Sequence, residues 1–235
     1  MVFGGLQKLT LLDFPGKVAC TVFTKGCNFY CPFCHNAFLV NNSPVPDIHE
    51  DEILSFLKKR TGVLDGVCIT GGEPLINPGI HNFIKEVKSL GFAVKLDTNG
   101  YLPEKLESLV NEGLIDYVAM DVKNCFEKYD VTSGCKNTDI SKIKKSISFL
   151  LSDKVDYEFR TTVVKPLHTP RDIESLAAQI SGAKRYFLQN YVDSGNILSS
   201  DSLCSFDGGE LKNLLISAQK HIPCACVRGS EIKNF

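Results

Sequence analysis

Residues 27–36 read CNFYCPFCHN and place three cysteines, Cys27, Cys31 and Cys34, within one short loop. The gaps between them let this loop wrap three thiolates around one small inorganic unit. Three protein ligands leave one iron of a [4Fe–4S] cluster open to a small molecule, as a catalytic zinc keeps one position open. The loop therefore predicts a cluster that binds a ligand directly.

Structural zinc is the main alternative for this loop, with His35 or the pair Cys224 and Cys226 supplying a fourth ligand. A single residue separates the members of that pair, which is tighter than is usual in zinc sites. Unligated thiols are the least favoured interpretation of the loop. The scattered cysteines, such as Cys20 and Cys68, are predicted to be ordinary buried thiols. The loop alone does not decide between cluster and zinc.

Six short apolar runs bounded by glycine, proline or asparagine predict buried strands. They span residues 18–24, 66–70, 93–97, 117–121, 157–164 and 185–190. Helical periodicity predicts helices over 48–60, 78–90, 103–111, 141–151, 170–180 and 208–220, the first two capped by Asp47 and Asn77. Strands that alternate with helices form a parallel sheet with right-handed crossovers. We therefore predict an α/β fold, a partial (β/α)6 TIM-type barrel.

The 235 residues are predicted to form a single domain, with strand–helix units over about residues 18–220 and a short C-terminal extension. A formal net charge of −1 gives no global field that favours nucleic acid or an anionic membrane, so neither partner is expected. The first residues lack the build of a signal peptide, and no apolar run is long enough to span a membrane. We therefore expect a cytoplasmic protein.

Glycine-rich and polar segments follow the predicted strands, and ligands of parallel α/β folds gather at that end of the sheet. In the segment GGEP, Gly71 and Gly72 would let the backbone approach a ligand, and the Glu73 carboxylate would accept from an ammonium group. A tight strand–helix turn with an exposed glutamate is the alternative. The segment is therefore a candidate ligand-binding turn.

Charged residues end two further predicted strands and lie within a third. Asp97 and Asp121 would be costly to bury unless a cation, either Lys123 or a bound metal ion, pairs with them. Alternatively, each aspartate caps the next helix. Arg160, in an apolar strand, is predicted to face the barrel mouth and bind a carboxylate bidentately, with a structural ion pair as the alternative.

The cysteine loop, with Phe33 before its last cysteine, and the GGEP segment resemble the signature of the radical S-adenosylmethionine superfamily. The continuation CHN at 34–36 and LDFPG at 12–16 resemble the glycyl-radical-enzyme activases more specifically. LDTNG at 96–100, AMDVK at 119–123 and YEFRTTV at 157–163 make the chain most similar to activating proteins of anaerobic ribonucleoside-triphosphate reductase. The resemblance extends over about residues 6–190.

This resemblance implies a radical SAM core barrel with one [4Fe–4S] cluster held by the three cysteines. The amino and carboxylate groups of S-adenosylmethionine would chelate the open iron. Phe33 would lie near the adenine, unless it is a plain hydrophobic anchor. The resemblance also implies a small monovalent-cation site at Asp97 and Asp121. Asp13 would help to hold a substrate loop, although an ordinary turn aspartate fits equally well.

The implied activity is reductive cleavage of S-adenosylmethionine, followed by formation of a glycyl radical on a partner enzyme, with electrons from a flavodoxin or ferredoxin. Residues 188–192 read LQNYV where pyruvate formate-lyase activating enzymes have a histidine, which argues against that partner. A radical enzyme that acts on a small molecule is the closest competing function, and a non-catalytic zinc module is the least favoured one. Cys204, Cys224 and Cys226 match no pattern of a second cluster.

Overall fold

A single sheet runs through the part of the chain that the computed structural model describes, residues 1–41, 47–193, 195, 197–198 and 202–229. Its strands are β1 (Val2–Thr10), β2 (Ala19–Thr24), β3 (Ile48–His49), β4 (Gly66–Gly71), β5 (Ala93–Thr98), β6 (Tyr117–Asp121), β7 (Asp156–Val163), β8 (Tyr186–Asn190) and β9 (Cys226–Val227). Their spatial order is β3-β1-β2-β4-β5-β6-β7-β8-β9. In the run β2-β4-β5-β6-β7-β8-β9, every pair of neighbouring strands is parallel.

The predicted strands correspond to β2 and β4 to β8, which lie side by side in chain order, and the predicted α/β fold is confirmed. Three strands were not predicted. β9 extends the parallel sheet beside β8, and β1 and β3 add antiparallel neighbours at the other edge. β1 is only partly buried along its length, so it lacks the apolar run that identifies the others. The single-domain assignment stays a prediction.

The helices pack beside the parallel strands, as the predicted alternation requires. They are α1 (Ala37–Val40), α2 (Glu50–Lys58), α3 (Ile80–Ser89), α4 (Pro103–Asn111), α5 (Tyr129–Ser133), α6 (Ile140–Leu151), α7 (Pro170–Gln179) and α8 (Gly208–Gln219). The short helices α1 and α5 were not predicted, because neither shows a full period of buried residues. Within the described residues, every helix is too short or too polar to cross a membrane.

Two predicted helix caps are wrong. Residues Ile48–His49 pair with β1 and stay extended, so α2 is capped by His49 and not by Asp47. Asn77 instead ends the short 3-10 helix Pro74–Ile76, and α3 begins only after Gly79. Pairing with β1 thus delays the start of α2, whereas a turn at residues 78–79 delays the start of α3.

The two faces of the parallel strands carry different residues, because successive side chains of a strand point to opposite faces. One face carries fully buried apolar residues that pair across the sheet: Val22, Ile69, Leu96, Val118, Met120 and Phe159. The alternating positions carry polar groups: Thr21, Cys68, Lys95, Asp97, Glu158 and Arg160. The apolar face holds the main core, and the polar face leads to the site described next.

Candidate cofactor site

A cavity of about 230 Å³ lies at the carboxyl ends of the parallel strands, beside the cysteine loop. Most of the sequence-predicted site residues line it: Cys27, Cys31, Phe33, Cys34, Gly71, Gly72, Asp97, Asp121, Lys123 and Arg160. Glu73 and Asp13 are not among its lining residues. The loops converge here because the carboxyl ends of parallel strands share one edge of the sheet.

Packing against neighbouring segments shapes the cysteine loop. The backbone N–H of Tyr30 donates to the Ser133 carbonyl at 2.8 Å, which ties the loop to α5. Burial raises the pKa of Cys31 to about 12 and the pKa of Cys27 to about 11. These thiols therefore hold their protons at neutral pH until a metal displaces them.

The surroundings of the three cysteines suit a cluster. All three thiols are free of disulfides and line the same cavity. The Nδ2 atom of Asn28 is buried and has no hydrogen-bond partner among the described residues. The Nδ2 atom of Asn99 donates to Asn28 Oδ1 at 2.8 Å and lies 3.9 Å from Cys27 Sγ. Because cluster sulfur accepts hydrogen bonds, these amides fit a [4Fe–4S] group.

The C-terminal cysteine pair is remote from this loop. Cys226 is in register with Phe187 of β8, and the Cys224 thiol donates to the Lys184 carbonyl at 3.2 Å. Both contacts are near the amino end of β8, whereas the cavity is at the carboxyl ends of the strands. The structure therefore contradicts the zinc alternative that uses this pair, while His35 does line the cavity.

Gly71 and Gly72 bring two loops into close contact. A Cβ atom on Gly72 would lie 1.9 Å from the Gly26 carbonyl oxygen, and one on Gly71 would lie 2.4 Å from backbone atoms of Thr24. Gly71 also has a φ of +118°, which disfavours any other residue. We expected these glycines to admit a ligand. Gly72 contacts the start of the cysteine loop and Gly71 contacts the end of β2, so both allow close packing of the backbone while also lining the cavity.

Glu73 requires a correction. Its side chain is buried, and its carboxylate accepts from the Asn99 N–H at 2.7 Å, Thr98 Oγ1 at 2.9 Å and the Leu75 N–H at 3.1 Å. Burial raises the pKa of Glu73 to about 7, and these hydrogen bonds oppose that shift. The carboxylate caps the 3-10 helix and holds two strand-end turns together. The alternative of an exposed turn glutamate is therefore wrong, and contact of this carboxylate with a ligand ammonium group stays a prediction.

Five charged groups form one chain of ion pairs, and four of them line the cavity. Arg160 bridges the two aspartates, with Nη1 at 3.2 Å from Asp97 Oδ2 and Nε at 2.9 Å from Asp121 Oδ1. Lys95 bonds the other oxygen of Asp97, and Lys123 Nζ lies 3.3 Å from Asp121 Oδ2. Arg160 therefore forms the structural ion pairs that were its alternative, and its bidentate contact with a bound carboxylate stays a prediction.

The ion pairs favour the charged forms of Asp97, Asp121, Lys123 and Arg160. Burial acts to raise the pKa of Asp121, but Arg160 and Lys123 outweigh it and lower that pKa to about 2. The pKa of Asp97 is also lowered, because Arg160 and Lys95 outweigh its burial. Burial acts to lower the pKa of Lys123, but the Asp121 carboxylate raises it overall. The cavity wall thus carries fixed charges at neutral pH.

His168 was not predicted, and it contacts two residues that line the cavity, Lys123 and Phe33. It is buried, its Nε2 lies 2.9 Å from the Lys123 carbonyl oxygen, and its Nδ1 accepts from the Val164 N–H at 3.2 Å. Its ring also packs edge-on against Phe33, with centroids 6.4 Å apart. No local pattern marks it, because Lys123 and Phe33 are distant from it in the chain.

Several further lining residues escaped prediction: Phe29, Val40, Thr70, Thr162 and Gln189. Strand alternation could have found Thr162, which lies two residues after Arg160 on the same strand. Asp13 lies elsewhere: its carboxylate accepts from Thr21 Oγ1 at 2.6 Å, near the amino end of β2. Its proposed contact with a substrate loop stays a prediction.

Comparison with known proteins agrees with this arrangement. The family model of the Radical SAM superfamily matches residues 21–180. A Methanocaldococcus jannaschii protein provisionally named as a glycyl-radical enzyme activating enzyme is 35% identical over 195 residues, 80% of this chain and 78% of that protein. The pyruvate formate-lyase-activating enzyme of Clostridium pasteurianum is 30% identical over 132 residues, 53% of this chain and 54% of that enzyme.

Solved structures show the same fold at low sequence identity. A radical SAM methyltransferase from Sphaerobacter thermophilus has a TM-score of 0.73 and 13% identity, over 94% of this chain and 68% of that one. The chain belongs to the radical SAM superfamily. It is therefore an enzyme of the class that uses a [4Fe–4S] cluster and S-adenosylmethionine.

Proposed function

We propose that this enzyme generates a glycyl radical on a partner protein, and that the partner is an anaerobic ribonucleoside-triphosphate reductase. The observation that carries this proposal is the 35% identity, over most of both chains, to a relative provisionally named as an activating enzyme. The resemblance of residues 6–190 to activating proteins of that reductase supports the choice of partner.

In this proposal Cys27, Cys31 and Cys34 hold the cluster, and Asn28 and Asn99 donate hydrogen bonds to its sulfur atoms. When bound, the two cofactors would supply one-electron chemistry, namely reductive cleavage of S-adenosylmethionine and removal of a hydrogen atom from a glycine of the partner, with the electron coming from a flavodoxin-like or ferredoxin-like donor. The protein groups need not transfer a proton in this reaction.

The cavity wall would orient the cofactor. Lys123 and Arg160 line the cavity, and the ion-pair chain to which they belong carries one more positive than negative group. An excess positive charge favours the carboxylate of S-adenosylmethionine at this position. Phe33 is 4% exposed and lines the cavity, so it offers an apolar ring to an adenine.

Electron paramagnetic resonance tests the proposal. The protein, reconstituted with iron and sulfide, is reduced with dithionite and mixed with S-adenosylmethionine and an anaerobic reductase. We expect a glycyl doublet on the reductase, together with 5′-deoxyadenosine. A doublet on pyruvate formate-lyase but not on the reductase would show that pyruvate formate-lyase, and not the reductase, is the partner. Cleavage of S-adenosylmethionine without a doublet on any glycyl-radical enzyme would refute the activase function.

A further inference from the structure

Lys95 is a buried lysine for which the proposed reaction has no direct role. It lies on β5, two residues before Asp97, and its side chain is 1% exposed. Its ammonium group bonds Asp97 Oδ1 and lies 3.8 Å from Cys68 Sγ. A buried ammonium group is strongly unfavourable unless it is paired, so this position requires a specific partner.

The ion-pair chain leaves no carboxylate oxygen of Asp97 or Asp121 without a cationic partner. Lys95 and Arg160 take the two oxygens of Asp97, and Arg160 and Lys123 take the two oxygens of Asp121. The order Lys95, Asp97, Arg160, Asp121, Lys123 alternates in sign along its whole length. Three cations and two anions give this chain a net charge of +1.

Lys95 differs from the other members in its position. Asp97, Asp121, Lys123 and Arg160 line the cavity, but Lys95 is not among the lining residues. Its ammonium group is buried within the protein and neutralises Asp97 from the side that faces away from the cavity. A bound alkali ion beside Asp97 would have to displace this group or approach a chain that is already net positive, and both are unfavourable.

We infer that Lys95 is a built-in cation that positions Asp97 and takes the place of a bound monovalent ion, which makes cofactor binding in this cavity independent of Na⁺ and K⁺. The inference rests on the proposed function only in taking the cavity as the site of S-adenosylmethionine. It assigns to a lysine ammonium group the neutralising role that a metal ion would otherwise have at these two aspartates.

The test compares the wild-type protein with Lys95→Met, which keeps most of the side-chain volume and removes the charge. The first measurement is the thermal unfolding midpoint of the cluster-free protein in NaCl, KCl and choline chloride at equal ionic strength. We expect one midpoint for the wild type in all three salts. The variant should unfold at a lower temperature in choline chloride, and Na⁺ or K⁺ should restore part of the loss.

The second measurement is the affinity of the anaerobically reconstituted proteins for S-adenosylmethionine in the same salts. The wild-type Kd should agree between KCl and choline chloride. The Kd of Lys95→Met should be about tenfold higher in choline chloride, with partial rescue by K⁺ or ammonium, since a tenfold change corresponds to one charged contact of about 1.4 kcal/mol. Lys88→Met is the matched control, because Lys88 pairs with Asp116 outside the cavity.

A wild-type midpoint or Kd that depends on the alkali ion would overturn the inference, as would a Lys95→Met variant that responds to no cation. If Lys95→Met does not fold, the double variant Lys95→Met with Asp97→Asn removes both charges. It should fold and show no cation dependence, and dependence in that variant would also overturn the inference. Neither measurement uses a partner enzyme, so both can still be interpreted if the proposed activase function is wrong.

Discussion

Arg160 of β7 joins two carboxylates that end neighbouring strands, contacting Asp97 of β5 through Nη1 and Asp121 of β6 through Nε. Asp121 and Arg160 are also register partners in the sheet, so the pairing of β6 with β7 places the two residues side by side. The guanidinium group uses two different nitrogens for two different acids, which a lysine ammonium group cannot reproduce in the same geometry. Arg160 therefore organises the charged wall of the cavity.

Arg160→Met should destabilise the cluster-free protein by up to about 3 kcal/mol at pH 7, because each partly buried carboxylate loses one of its two cationic partners. Urea denaturation measures this loss. The loss should shrink below about pH 4. Arg160 and Lys123 lower the folded-state pKa of Asp121 to about 2, so the stability from this ion pair is present above the unfolded pKa and disappears as the pH falls towards 2.

Arg185→Met is the control for this variant. Arg185 is half-exposed and lies 3.4 Å from Asp156, so its loss should cost less than about 1 kcal/mol. A destabilisation by Arg160→Met that is constant from pH 7 to pH 3 would show that the pairing with Asp121 does not cause it.

Glu73→Gln should change how the stability depends on pH. The folded-state pKa of Glu73 is raised to about 7, so between pH 4.5 and 7 the unfolded chain releases a proton that the folded chain keeps. The wild type should therefore lose about 1.4 kcal/mol per pH unit from this group as the pH rises through that window. Glutamine does not ionise and lacks this decline.

The same variant replaces one acceptor oxygen by an amide that faces the Asn99 N–H, which should cost about 1–3 kcal/mol at pH 5. The deficit relative to wild type should then narrow by pH 8. Chemical denaturation at the two pH values checks this, with the exposed Glu86→Gln as control. A deficit that grows with pH would contradict the raised pKa.

Gly72→Ala should prevent the start of the cysteine loop from packing against residue 72. Its Cβ would lie 1.9 Å from the Gly26 carbonyl, which is backbone and cannot rotate away as a side chain can. We expect a lower unfolding midpoint and an iron content after reconstitution well below that of the wild type. Gly208→Ala, where nothing lies within 4 Å of the new Cβ, should change neither quantity appreciably. Equal iron content in both variants would argue against this role of Gly72.

Cys31→Ala should abolish both the iron–sulfur absorption and the cleavage of S-adenosylmethionine after anaerobic reconstitution. Its removal leaves two ligands in the loop, which is too few to retain the cluster. Cys224→Ala is the matched control, since this exposed thiol lies at the amino end of β8. It should keep full colour and activity. Retained cleavage in Cys31→Ala would rule out the cluster assignment.

Local pattern predicted the parallel sheet well. Each strand from β2 to β8, apart from the short β3, is a brief apolar run, and each predicted helix ends within two residues of its expected position. The cysteine spacing and the polar residues after the strands identified most of the cavity wall, because the carboxyl ends of parallel strands meet at one edge. These features depend on residues close together in the chain.

Only the tertiary structure decided which partner each polar side chain takes. Sequence left two alternatives for Glu73, a ligand contact or an exposed turn residue, and the fold buries it as a cap. Sequence also left open whether Arg160 forms a structural ion pair, and the fold pairs it with Asp97 and Asp121. Lys95 showed no local signal, since a lysine within a strand is ordinarily solvated. The physical reason is that a buried charge is unfavourable unless an opposite charge pairs with it, and the available partners lie on strands that are distant in the sequence.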